Sequence, residues 1–143
     1  MVNEFFKAYI PTKNKKSVMS FKDKNPSELL SLEDAEKLSE YGGILSDDCI
    51  LLDFDDEVMA NKALTIVKNE GLKCRVVATS RGYHMFFKNT RNKINRCCTH
   101  ASLACGLVAD IKLGTRNSYA ICKFNDKTRE IIYDICLFYY VCF

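Results

Sequence analysis

Residues 50–57 read Ile-Leu-Leu-Asp-Phe-Asp-Asp-Glu, an apolar run that ends in four acids with Phe54 among them. Carboxylates a few ångströms apart repel, and partial burial makes the repulsion worse. Placing them on the end of an apolar strand therefore anticipates something positive. Residues two apart in a strand share a face, so Asp53 and Asp55 project together while Phe54 packs the other way. Such a D-x-D pair suits a divalent cation, which prefers hard oxygen ligands. Solvated acids and helix capping are the plainer alternative.

Two further stretches favour the cation. In Thr-Ser-Arg-Gly-Tyr-His, residues 79–84, a glycine turn sets Ser80, Arg81 and His84 within reach of one anion. In Ala-Asp-Ile-Lys-Leu-Gly, residues 109–114, Asp110 lies inside another apolar strand with Lys112 two residues on, on the same face. Three strand-borne carboxylates and a hydroxyl, guanidinium and imidazole clamp are the parts needed for two-metal phosphoryl chemistry.

The set LLDFD, SRGYH and ADIK resembles the three motifs of the archaeo-eukaryotic primase superfamily, in its phage and plasmid primase-polymerase branch. The resemblance implies Asp53, Asp55 and Asp110 as catalytic ligands of Mg²⁺ or Mn²⁺. It implies Ser80 and His84 as contacts to the phosphates of an incoming nucleotide, with Arg81 and Lys112 beside them. It also implies an RNA-recognition-like, mostly antiparallel sheet, a nucleoside triphosphate and single-stranded DNA as ligands, and a phage or mobile-element origin in a bacterial host. Members of this branch usually continue well past the third motif and often carry a fused helicase, whereas this chain stops about thirty residues after Asp110. The resemblance thus describes a shortened domain in which nucleotidyl transfer is open to loss.

Cys97, Cys98, His100 and Cys105 form C-C-x-H-x4-C, enough in principle for a tetrahedral structural zinc site. Vicinal cysteines seldom both ligate one metal, so reduced thiols and a surface histidine are the alternative. Some primase-polymerases are similar in carrying a zinc-binding insertion between their second and third motifs, where this cluster lies. Cys122 is a possible outside ligand, and a zinc ion on the carboxylates with His84 is a further option. Cys49, Cys74, Cys136 and Cys142 sit in apolar runs and read as small core residues.

The elements that must position these groups read as α+β. Ser31 with Asp34 three residues on starts a helix that Gly42-Gly43 should stop. GILS and CILLDF flank Asp47-Asp48 like a hairpin. Residues 56–70 place Val58, Met59, Ala63, Ile66 and Val67 on one helical face, with Asp55 or Asp56 as cap and Gly71 as stop. CRVVATS, YHMFFK, GLVADIKLG and NSYAICKF read as strands. The expectation is a single domain over 1–143, with helices on one face of a mostly antiparallel sheet, a Cys/His insertion at 90–106 and an apolar tail at 130–143.

The chain has 143 residues, 48% hydrophobic and 27% charged, which suits one domain with a real core. No apolar run is long enough to span a bilayer and the N-terminus lacks a signal-peptide pattern, so a cytoplasmic protein with free thiols is expected. The net charge of +3 conceals a segregation. Glu28 to Glu57 holds eleven acids and one base, while Lys73 to Ala109 holds seven bases and no acid. Carboxylates facing a phosphate-binding surface would account for that, as would mutual neutralisation within the fold. A non-catalytic alternative also fits: a phage-encoded inhibitor of a host defence protein, such as a CRISPR effector nuclease, whose basic channel the acidic segment would fill. A simple nucleic-acid binder acting through residues 73–96 is the third reading.

Overall fold

The computed structural model describes residues 4–89 and 95–136. Along them run β1 (Phe6–Lys13), β2 (Lys16–Ser17), α1 (Leu32–Glu36), β3 (Tyr41–Leu45), β4 (Cys49–Phe54) and α2 (Glu57–Asn69). Then come β5 (Arg75–Ala78), β6 (Tyr83–Lys88), β7 (Cys98–Ser102), β8 (Val108–Leu113), β9 (Tyr119–Phe124), β10 (Lys127–Thr128) and β11 (Ile131–Asp134). The fold is α+β with two mostly antiparallel sheets and few helices. One sheet was the expectation from the strand order; the strands sort into two. Residues up to Cys49 with Leu113–Arg129 make one compact unit, and Ile50–Lys112 with the chain from Glu130 make the other. No described helix is long and apolar enough to cross a membrane.

The first unit carries the sheet β10-β9-β3-β1-β2. Alternation along β1 feeds two clusters: Ala8 and Ile10 pack with Phe21 and Ile44, and Tyr9 packs with Ala35 and Tyr41. Central β3 is buried throughout. Gly42 and Gly43 lie inside this strand and do not stop the preceding helix. A Cβ at Gly43 would enter the Phe6 ring and one at Gly42 would meet Tyr119, so aromatic packing demands glycine here. The helix α1 is short, starting where expected with Ser31 accepting from the Asp34 N–H at 3.2 Å, and ending at Glu36. Nor do β3 and β4 form a hairpin: β3 pairs with β1 and β9, while β4 belongs to the other sheet.

Two charged residues in this unit serve turns. Glu40 accepts from Thr12 Oγ1 and the Asn14 N–H at 3.0 Å each, and from the Lys15 N–H, in a turn where Asn14 and Lys15 both have positive φ. Lys7 Nζ donates to Asp47 Oδ1 at 2.5 Å, Asn117 Oδ1 at 2.7 Å and the Gly114 carbonyl at 3.4 Å.

The second unit carries the sheet β11-β5-β6-β4-β8-β7. Helix α2 lays Ala60, Ala63 and Val67 against Phe54, Val76, Met85 and Ala109 on one sheet face. Asp56 caps it, its Oδ1 accepting from the Met59 N–H at 2.8 Å, and Gly71 follows its end at φ +57°. Val58, assigned to the buried face by periodicity, is 62% exposed, because the packed stripe centres on the alanines one turn apart. The expected insertion is partly sheet: Cys98–Ser102 pairs antiparallel with β8, closed by the Leu103 N–H to Leu107 carbonyl bond at 2.8 Å. Residues 90–94 of it lie outside the described residues. Of the apolar tail, Ile131–Asp134 is an edge strand on β5, and 137–143, with Cys142, lie outside the described residues. Cys49 and Cys74 are buried as expected, and Cys136 is half-buried.

Candidate functional site

Strands β6, β4 and β8 are neighbours, and alternation sorts their residues between two faces. Phe54, Met85 and Ala109 face α2. Their chain neighbours Asp53, His84 and Asp110, with Lys112, therefore share the opposite face. There Lys112 Nζ donates to Asp53 Oδ2 at 2.7 Å, and His84 Nε2 stands 3.3 Å from Asp53 Oδ1. The His84 and Asp53 side chains are only 8% and 10% exposed, Lys112 35%. Asp53 Oδ1 is buried and accepts no well-aligned hydrogen bond among the described residues. Burial alone would push this carboxyl up, but the contact and charge of His84, followed by those of Lys112, hold it well below the usual carboxylate range. The His84 ring is set edge-on against Phe86, centroids 6.1 Å apart.

At the end of β4 the second acid takes a different partner. The strand stops at Phe54, so the same-face rule does not carry to Asp55, which is 58% exposed and pairs with Arg81 Nη2 at 3.1 Å. Arg81 is presented by the β5–β6 turn. Thr79 closes that turn: its N–H bonds the Gly82 carbonyl at 2.9 Å and its hydroxyl accepts from the Gly82 N–H at 3.0 Å. Gly82 passes so close to β4 that a Cβ would collide with the Phe54 carbonyl oxygen. This close approach sets Arg81 beside Asp55. Ser80 lies exposed in the same turn.

The third acid is engaged elsewhere. Asp110 Oδ1 accepts the His100 N–H at 2.8 Å. His100 has φ +51° and falls where the β7–β8 register shifts between Cys98 and Ala101, so Asp110 buckles a β-bulge. Cys97, Cys98, His100 and Cys105 are exposed. Strand β7 separates Cys98 from the turn that holds Cys105; at ~3.3 Å per residue the strand's four steps alone span roughly 13 Å, so the structure does not bring the four together. Cys122 belongs to the first unit.

Among the described residues, no three His, Cys, Asp or Glu side chains are grouped to hold a metal. Hard oxygen donors at Asp53 and Asp55 nonetheless suit a divalent cation: among the described residues Asp53 Oδ1 accepts no aligned hydrogen bond, with His84 Nε2 3.3 Å away, and Asp55 makes a surface ion pair with Arg81. Asp110, committed to His100, does not fit as placed.

The sequence reading missed two features. Thr79 anchors the clamp turn, and its signal was legible as a hydroxyl three residues before glycine. Arg75 and Asp134 form a half-buried ion pair across β5 and β11, with Nε and Nη2 each 2.8 Å from Asp134 Oδ2; the partners are far apart in sequence and left no local trace. No protein-family model, no curated protein and no solved structure matches the chain.

Proposed function

We propose that this chain is a primase-polymerase-like domain that binds the triphosphate of a nucleotide together with a divalent cation, on the six-stranded sheet. The observation that carries the reading is the meeting of Asp53, His84 and Lys112 on three adjacent strands, with the Asp55–Arg81 pair at the end of the middle one. The resemblance implies an RNA-recognition-like, mostly antiparallel sheet carrying the three motifs. In this reading the sheet with α2 is the RNA-recognition-like core.

Each residue has a task its chemistry suits. Asp53 and Asp55 would hold Mg²⁺ or Mn²⁺, which offsets the charge of phosphate oxygens when bound. Arg81, 71% exposed and free to leave a surface ion pair, offers a forked donor to a phosphate. Lys112 adds a compact positive charge, and buried His84 orients Asp53. Ser80 is an exposed hydroxyl in the same turn as Arg81, available to a phosphate oxygen. Templated nucleotidyl transfer requires in addition a carboxylate that Asp110 does not supply while it holds His100.

Calorimetry with a nucleoside triphosphate and Mn²⁺ tests the binding step, and incorporation on a single-stranded template tests turnover. Binding that Asp53→Asn and Arg81→Met each weaken is the expected result. No detectable nucleotide binding by the wild-type chain overturns the reading.

A further inference from the structure

We infer that Lys112 stands in for a divalent cation at Asp53 and is released by a triphosphate, so that metal and nucleotide bind with positive coupling. The inference rests on the nucleotide-binding reading above and concerns how that site is regulated. Asp53 is nine-tenths buried, and a buried carboxylate stripped of its counter-charge costs several kcal/mol. Its Oδ2 is held by the Lys112 ammonium at 2.7 Å, while Oδ1 accepts no aligned hydrogen bond. One oxygen is thus taken by a cation that belongs to the chain, and the other is buried against His84 Nε2 at 3.3 Å, which leaves Oδ2 as the position a divalent ion would take over.

The two basic side chains beside Asp53 differ in freedom. His84 is buried and packed on Phe86. Lys112 is one-third exposed on a flexible four-carbon stem, and its ammonium still has donors to give when one is used. A triphosphate arriving at Arg81 meets that ammonium as a second anion competing for it. Once the phosphate takes the ammonium, Asp53 requires a replacement cation, and the divalent ion that accompanies the nucleotide provides one. Without the triphosphate, a divalent ion must displace an ammonium already at hydrogen-bond distance, which weakens its binding. By linkage the coupling acts equally in both directions.

The test counts bound Mn²⁺ by electron paramagnetic resonance, with and without a non-hydrolysable dATP analogue, after subtracting the metal taken up by the analogue alone. In the wild type the analogue should tighten Mn²⁺ binding about tenfold or more. Lys112→Met should bind Mn²⁺ more tightly than wild type when no analogue is present, and the coupling should largely vanish. Unchanged or weaker Mn²⁺ binding by Lys112→Met, or full coupling in that variant, overturns the inference while leaving nucleotide binding standing. Wild-type protein that takes up neither Mn²⁺ nor analogue overturns both. If Lys112→Met does not fold, the Lys112 side-chain resonances of wild-type protein answer the same question on adding tripolyphosphate without metal. They should shift as the ammonium leaves Asp53; tripolyphosphate binding without that shift overturns the inference.

Discussion

In the five-stranded unit, Glu40 and Lys7 direct their charge at turns: backbone N–H groups, an amide, a carbonyl and one exposed aspartate. In the six-stranded unit, Asp53, Lys112 and His84 face one another across strands, two of the three nearly buried. The first arrangement satisfies groups that folding itself leaves bare. The second balances charge against charge, which a ligand carrying both signs can exchange partner for partner. A charged cluster whose members hold each other is therefore the better candidate for chemistry than one whose members hold the backbone.

The sharpest way to break that contrast is to remove a charge that is purely structural in the six-stranded unit. Arg75→Met leaves half-buried Asp134 without its charged partner and should cost about 2–3 kcal/mol in urea denaturation, with Asp134→Leu added to it restoring much of the loss. Next in size is Glu40→Ala, which strips acceptors from three donors of one hairpin. A loss of about 1–3 kcal/mol with unchanged nucleotide affinity is expected, and a change in affinity would erase the distinction between the units.

The pH dependence sharpens the comparison further. Asp53 is depressed in the folded chain, so its contribution is present above about pH 4 and is lost as pH falls from there toward its native value. Burial pushes the Cys74 thiol in the six-stranded unit, and the Tyr41 phenol and Cys122 thiol in the other, up to about 12. These groups keep their protons when folded, whereas an unfolded thiol loses its own from about pH 8.5. Stability therefore falls as pH rises beyond that point. Thermal melts should show Asp53→Asn flattening the acid limb and Cys122→Ala part of the alkaline one. Smallest of all in stability is Arg81→Met, under about 1 kcal/mol because its ion pair is exposed. Its nucleotide affinity should still fall about tenfold, the value of one charge-assisted hydrogen bond.

Local chemistry was legible in the sequence wherever neighbours along the chain settle it. Ser31 and Asp56 cap helices as their spacing indicates, Arg81-Gly82 turns β5 into β6, and Asp110 and Lys112 share a face. Pairing between distant strands was not legible. Residues 41–45 and 49–54 look like the arms of one hairpin, yet the first pairs with residues 119–123 and the second lies between β6 and β8. Both pairings bury the same apolar residues, so composition cannot choose between them. The candidate site divides the same way. The acids and the basic turn were visible as types, but their partners (Lys112 to Asp53, Arg81 to Asp55, the His100 N–H to Asp110) follow from strand adjacency that no spacing reveals.

The left-handed His100 has a consequence for how copies of this molecule behave toward one another. Among the described residues β7 ends the six-stranded sheet, and a flat terminal strand invites another chain to extend the ladder. A bulge held by Asp110 bends and twists that border, so an incoming strand cannot stay in step with it. The carboxylate that resembles a catalytic ligand in the sequence thus shapes the border strand, and neutralising it is expected to be felt first in solubility.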